Sequence, residues 1–542
     1  MTSINLIQYG SLTNQRHWSL GNAIHFDRAA DLISGKAEKY ILDSAAEAWF
    51  FWDGALGDPD EQAVQKSFAQ PGDLWHAGLQ LGMAGLPRLL DYVAPTWMLN
   101  VDPSPQIEAT SWRVSLRACL VRSTVLHQVG FIQTGFQTLE AAALEWGHRC
   151  TSQGVITRHL PWLLDGPVQV SWPRLPIEDE LRFISLRYKE FWRDWAAARL
   201  VLSRPWLGFQ VMRAWRRIRT TSFTLSKDIY LRQSLEHPSG GKTVSVILPT
   251  RGRYAYLPKC LATLRDQTVQ PDEILCVDQN PPEARQPQIY RQFPELNIEV
   301  ICQQAGGQSL ARNAALKAAK GEWLFFADDD SEYPPDAIEQ HLKLCLQTGA
   351  AGSTGLSLPP FEYQVPPDYR HIRTAHNLDT GNALIRRMAV LQSGGFDRSY
   401  DFGKGADTDL GMRLYLQGDL LLHNPQARRL HHKAESGGLR EYGAWWEARR
   451  IKTFQPRPTP TFTYWIMRFF PRSNWFNAIF HSVLVSGVLQ KPTANTSIFH
   501  ALRNYFWQII RLPVTIFQVL RSYKQAKLHL RTGPRLLDRP SE

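Results

Sequence analysis

Between Lys242 and about His432, short β-rich apolar runs alternate with segments of helical period, the pattern of an α/β domain with a largely parallel sheet. VSVILPT (Val244 to Thr250) reads as the first buried strand, ended by Pro249. YLPKCLATLRDQT then sets Leu257, Cys260, Leu261 and Leu264 at helical spacing, and EILCVD (Glu273 to Asp278) reads as the second strand. A third strand, IEVICQ, leads into a helix, SLARNAALKAAKG, with Gly321 as its expected C-cap. WLFFADDD is a buried strand that runs straight into Asp328, Asp329 and Asp330.

Sliding the chain against itself by 264 residues lays Leu120 to Pro161 over Leu384 to Pro425 without a gap. Besides the leucines that open the segment, ten positions are identical, among them Arg122/Arg386, Gly130/Gly394, Arg149/Arg413 and His159/His423. AWFFWDG (Ala48 to Gly54) echoes WLFFADDD at a slightly different offset. The repeat predicts two related α/β domains, at 1–170 and 238–435, joined by a helical linker at 171–237 rich in Trp and Arg. A tail follows at 436–542. It interleaves aromatic residues with cations, as in TYWIMRFFPRSNWF, and its 18-residue uncharged stretch from Ser473 to Gln490 is too polar for a membrane span. A basic, amphipathic helix lying in the membrane interface is the expectation.

Composition and charge narrow the picture. With 542 residues, 44% hydrophobic and 20% charged, the chain suits several packed domains. Six scattered cysteines form no C-x-x-C pair, which argues against a thiolate zinc site or a disulfide scaffold and for a cytoplasmic setting. The net charge of +11 is local: from Arg449 onward 15 Lys/Arg face two acids, which leaves 46 basic against 48 acidic residues elsewhere. The charge therefore favours an anionic membrane surface over a nucleic acid as partner.

Candidate chemistry gathers at the acids. Three adjacent carboxylates repel one another unless a cation neutralises them, and Mg²⁺ or Mn²⁺ prefers such oxygens; a solvated acidic turn is the alternative. In GADTDLGMRL, Asp407 or Asp409 can act as a general base or simply cap a helix. His431 or His432 can return to the acids as a metal ligand.

VSVILPTRGR, ILCVDQ, GGQSLARNAALKAAKGEWLFFADDD, TGNALIRR, GGFD and GADTDLGMRLYLQG occur in an order and spacing that resembles glycosyltransferase family 2. The resemblance implies a GT-A fold, a Rossmann-like nucleotide-diphospho-sugar transferase architecture, for the second domain. By the repeat it implies a tandem, degenerate copy for the first. It also implies an inverting, metal-dependent (Mn²⁺ or Mg²⁺) transfer of a sugar from a nucleotide donor to a glycan or lipid-linked acceptor. Such activity belongs to cell-surface polysaccharide synthesis at the inner face of the membrane; a non-catalytic nucleotide-sugar or glycan-binding adaptor is the alternative. By the family's pattern Pro249, Thr250, Arg253 and Asp278 lie at the nucleobase end, and Arg312, Asp328, Asp329, Gly381 and Asn382 face the donor. Asp328, Asp330 and His431 are the expected metal ligands, Asp407 the base, and Asp409 a more structural acid. Gln279 stands where the family has a second acid, which leaves the nucleotide open, and Ala406 stands where it has Glu. In the first copy Ala143 falls on Asp407 and Glu145 on Asp409, so that domain is expected to bind or scaffold rather than catalyse. Its Asp58-Pro59-Asp60 is expected to form a turn.

Overall fold

The computed structural model describes residues 3–10, 18–79, 89–164, 175–218, 221, 229–232, 242–375, 377–438, 455–487 and 510–539. The chain forms two compact units, Met1–Glu236 with Arg370–Thr374 and Tyr415–Leu420, and the remainder. Parts of the tail, including 439–454 and 488–509, lie outside the described residues, as do 165–174 and most of 219–241.

The first unit is built on strands β1 (Ile4–Tyr9), β2 (Ala23–Phe26), β3 (Ala48–Asp53), β4 (Leu74–His76), β5 (Ala109–Thr110), β6 (Ala118–Arg122) and β7 (Thr157–His159), in the order β2-β1-β3-β6-β4-β7-β5. Helices α1 (Ser123–Val129) and α2 (Leu139–Ser152) follow β6. The Trp- and Arg-rich segment, expected as a linker, forms α3 (Ile177–Arg187), α4 (Glu190–Ser203) and α5 (Gly208–Ile218), which belong to this unit and pack on one another.

The second unit contains β8 (Val244–Thr250), β9 (Glu273–Asp278), β10 (Ile298–Cys302), β11 (Trp323–Ala327), β12 (Ser331–Glu332), β13 (Gly352–Leu358), β14 (Asn382–Arg386) and β15 (Leu421–His431). Their order is β10-β9-β8-β11-β14-β13-β15-β12. The four strands from β10 to β11 are parallel, and β14 runs against both β11 and β13. Its helices include α6 (Leu257–Arg265), α7 (Gln308–Ala318), α8 (Ala337–Thr348), α9 (Arg387–Gln392) and α10 (Ala406–Leu416). Helix α7 stops three residues before Gly321, with Ala319 as its extended C-cap. Gly321 instead passes β8, where a Cβ would stand 2.7 Å from the Ser245 nitrogen. Pro249 lies one residue inside β8, next to its end.

Strand order and direction match across β2-β1-β3-β6-β4-β7 and β9-β8-β11-β14-β13-β15. The 264-residue register holds at side-chain level. Arg149 pairs with Glu145 one turn earlier and donates to the carbonyls of Val129 and Phe131. Arg413 pairs with Asp409 and donates to those of Ser393 and Gly395, the same positions in register. Both arginines tie a buried helix to the turn that precedes it.

The described part of the tail packs on the second unit. In α11 (Pro460–Phe469), Tyr464 and Met467 join the core cluster around Phe396 and Tyr400, and α13 (Leu512–Thr532) lies against α11; α12 (Arg472–Gly487) comes between them in the chain. The aromatic face of α11 is thus core, although α13 leaves Leu512, Ile516 and Leu520 exposed. Among the described residues no helix is long and apolar enough to cross a membrane.

Candidate active site

All five residues of β11 are fully buried, so the first polar residues of that run can emerge only at its carboxyl end, where ligands of open α/β sheets bind. Asp328, Asp329 and Asp330 stand there, at the floor of a cleft of about 240 Å³. Pairing of Ala327 with Asn382 sets Gly381 across from Asp328. A Cβ on Gly381 would lie 2.1 Å from Asp328 Oδ2 and 1.9 Å from Arg429 Nη1, so only glycine fits. The Tyr333 hydroxyl accepts from the Asp328 N–H and donates to the Gly381 carbonyl, which fixes both backbones.

Strand β15 carries Arg429 and His431 two residues apart, hence on one face. Arg429 is buried and donates to Asp328 Oδ2 at 2.8 Å and to both oxygens of Asp379 at 3.0 and 3.1 Å. Arg312, one turn into α7, reaches Asp328 Oδ1 at 3.5 Å and lies 4.0 Å from Asp407 Oδ1. Arg253 pairs with Asp329 at 3.0 Å and with Asp330 at 3.3 Å.

These cations sort the acids. Burial opposes the charge of Asp328, but Arg429 and Arg312 outweigh it and hold the carboxyl well below the usual range. Asp330 is also lowered: burial is offset by His431 and Arg253. Asp329, deeper and beside Asp330, is pushed up to about 6 by burial despite Arg253, and accepts from the Thr250 hydroxyl at 2.8 Å. Asp407, in the first turn of α10, accepts from the Thr380 hydroxyl at 2.8 Å. Burial raises its pKa, with Arg312 in opposition.

Ligand atoms of Asp328, Asp330 and His431 lie within 4.8 Å of one another. Asp330 Oδ1 is buried between Arg253 Nη1 at 3.3 Å and His431 Nε2 at 3.5 Å, and its Oδ2 takes the Ala434 N–H at 3.0 Å. Two carboxylates and an imidazole within 4.8 Å of one another fit a hard divalent cation. His432 points elsewhere, to Glu332 at 2.6 Å.

Of the residues expected at the site, Pro249, Thr250, Arg253, Arg312, Asp328, Asp329, Asp330, Asp407 and His431 line the cleft. Three do not. Asp278 is buried beneath it and accepts from Tyr290 and from the backbone and side chain of Asn280, as well as from Tyr254. Asn382 is buried between His341 and the Ala427 carbonyl. Gly381 acts through its missing side chain. Gln279 lines the cleft and donates to the carbonyls of Ala305 and Gly307, shaping the loop before α7. Asp409 is buried between Arg413 and Arg468 and does not reach the cleft. Arg429, Asp379 and Thr380 also line the cleft without being expected there, although Thr380 begins the TGNALIRR run and Asp379 immediately precedes it.

Residues 245–391 match Glycosyl transferase family 2. The chain carries a glycosyl transferase family 2 domain. The putative glycosyltransferase EpsH of Bacillus subtilis is 32% identical over 102 residues, which are 18% of this chain and 29% of that protein. An N-acetylglucosaminyl-diphospho-decaprenol L-rhamnosyltransferase of Mycobacterium tuberculosis is 25% identical over 237 residues, covering 36% of this chain and 77% of the relative. The mannosyltransferase PcManGT from Pyrobaculum calidifontis, solved with GDP-Man and Mn²⁺, aligns over 61% of this chain and 96% of its own at 17% identity and a TM-score of 0.37. The chain spans 29% to 35% of the length of the first three curated relatives it matches.

Proposed function

We propose that the second unit is an inverting glycosyltransferase that moves a sugar from a nucleotide-sugar donor to a glycan or lipid-linked acceptor in cell-surface polysaccharide synthesis. One observation carries the reading: the Asp407 carboxyl and the Asp328/Asp330/His431 group face one cleft, with Arg312 between Asp328 and Asp407. In this reading Asp407 takes the proton of the acceptor hydroxyl, whose oxygen bonds to the anomeric carbon as the bond from that carbon to the diphosphate breaks. A single displacement inverts that carbon. Mn²⁺ or Mg²⁺ held by Asp328, Asp330 and His431 would supply Lewis-acid stabilisation of the leaving diphosphate. Pro249, Thr250 and Arg253 hold the nucleotide end, and Arg312 adds positive charge beside the phosphates. The first unit binds acceptor or serves as scaffold. The exposed Leu512, Ile516 and Leu520 of α13, with its lysines and arginines, support peripheral attachment at the inner face of the membrane.

The test is a thermal-shift screen of nucleotide sugars with and without Mn²⁺, followed by an assay for released nucleoside diphosphate. A metal-dependent rise in melting temperature with turnover supports the transferase reading. Tight binding with no diphosphate released across a broad acceptor panel makes the protein an adaptor instead.

A further inference from the structure

In the first unit, α4 and α5 form a helical hairpin joined by a short 3-10 turn, Pro205–Leu207. One side of the hairpin is ordinary core: Arg193, Ala196, Ala197 and Leu200 of α4 and Val211, Ala214 and Ile218 of α5 are buried, and α3 packs on both helices. The other side departs from what a water-facing surface needs. Leu202 and Trp206 are each 75% exposed and Phe209 is 81% exposed, with Met212 next along α5. Phe209 and Met212 are neighbours three residues apart on α5, while Leu202 lies at the end of α4 and Trp206 in the turn that leads into α5.

The charge around them is mainly positive. From Lys189 to Ile218 there are seven Lys/Arg and two acids, and one of those acids, Asp194, is paired with Arg193 at 2.9 Å. Arg213 and Arg216 lie one turn beyond Phe209 and Met212 on the same helix and are exposed. Large apolar side chains thus sit beside arginines whose stems can lie along an apolar layer with the heads outside it.

We propose that the α4–α5 hairpin is an interfacial membrane-docking element that inserts Leu202, Trp206, Phe209 and Met212 among the acyl chains and sets Arg213 and Arg216 on anionic headgroups. An anionic bilayer satisfies both halves of the surface, since Trp and Phe favour the interface and each arginine gains from the negative surface potential. A second copy of this chain satisfies only the apolar half, because it would bring two cationic surfaces together. The inference does not depend on the transferase reading, nor on attachment through α13.

Flotation of the full-length protein with vesicles of phosphatidylcholine and phosphatidylglycerol, against phosphatidylcholine alone, tests it. The double variant Trp206→Ser/Phe209→Ser is expected to lose at least about tenfold in affinity for both kinds of vesicle. Arg213→Glu/Arg216→Glu is expected to lose about fivefold or more per residue on the anionic vesicles, with little change on the neutral ones. Ile516→Ser/Leu520→Ser in α13 is the control, and circular dichroism confirms that each variant is folded. Unchanged flotation of the folded Trp206/Phe209 variant, with loss in the α13 variant, overturns the inference and leaves the tail as the attachment. Concentration-dependent self-association of the wild type that the Trp206/Phe209 variant abolishes also overturns it, by making the surface a contact between copies.

Discussion

The two sheets share a strand order and a side-chain lock, and they diverge at the carboxyl edge. In both, an arginine on the helix after the antiparallel strand holds an acid one turn earlier and two carbonyls of the preceding turn; in both, a second arginine supports that acid, Arg187 at 3.7 Å from Glu145 and Arg468 at 2.6 Å from Asp409. Asp53 ends β3 at the register position of Asp328. The positions after it are Gly54 and Ala55 where the second sheet has Asp329 and Asp330, and Ala143 stands for Asp407. Asp53 is also occupied: it caps the turn at Ala55 and pairs with Arg117 at 2.6 Å. Arg117 itself stands in the register position of Gly381. In the second sheet the missing side chain at Gly381 makes room for Arg429, from another strand, to reach Asp328, whereas in the first the residue at that position, Arg117, itself pairs with Asp53. Both sheets thus share the helix lock, while the run of three acids at the strand end belongs to the second sheet alone.

Breaking the edge of the second sheet gives the largest expected effect. Asp407→Asn should lower sugar transfer by about 10²–10⁴-fold, the range for loss of a positioned base, while leaving donor affinity unchanged. Ala143→Asp, its counterpart, should create no activity, because the neighbouring carboxylates are absent. Initial rates of nucleoside diphosphate release check both. Breaking the lock should be symmetrical instead: Arg149→Met and Arg413→Met each leave a buried acid short of a partner and should each cost about 3 kcal/mol of stability in denaturant titrations. A large difference between the two would show that the locks are not equivalent. Gly381→Ala should cost about 1–3 kcal/mol through overpacking against Arg429 and depress transfer, both read in one preparation by melting and by rate.

The smallest effect is in pH. Burial raises the pKa of Asp407, and only its carboxylate can accept a proton. Transfer should therefore fall as pH drops through that raised value, with the acidic limb above the ordinary aspartate range of about 3.9, and Asp407→Asn should lack the limb. Stability runs on another group. Burial works against the charge of Asp397, but the N–H groups of Ser399 and Arg535, together with Arg468, hold its pKa below the usual value. Its contribution is complete above the unfolded pKa and is lost as pH falls through the folded one. Melting of the second unit should weaken on that side.

Much of the edge was legible because it is local. A buried strand ending in three acids, a helix opening with Asp407, and a gapless register of 264 residues are patterns within short windows or a simple offset. Arg429 was not legible: it lies 101 residues from Asp328, and Arg428 beside it is exposed, so nothing in the chain tells which arginine faces the site until β15 is paired with β13. Asn382 and Asp278 share motifs with site residues, yet strand alternation and burial turn them to structural partners. In the tail, one aromatic and cationic pattern serves α11, which is core, and α13, which exposes apolar residues. Amphipathic period alone does not distinguish a protein surface from a lipid one.

The central claim is that one of two related edges holds the metal and the diphosphate. Calorimetric titration of Mn²⁺ into the full-length protein with a nucleoside diphosphate present measures it directly. The account predicts a single site per chain that Asp330→Asn abolishes and Asp53→Asn leaves intact; two sites per chain, or a site that survives Asp330→Asn, would contradict it.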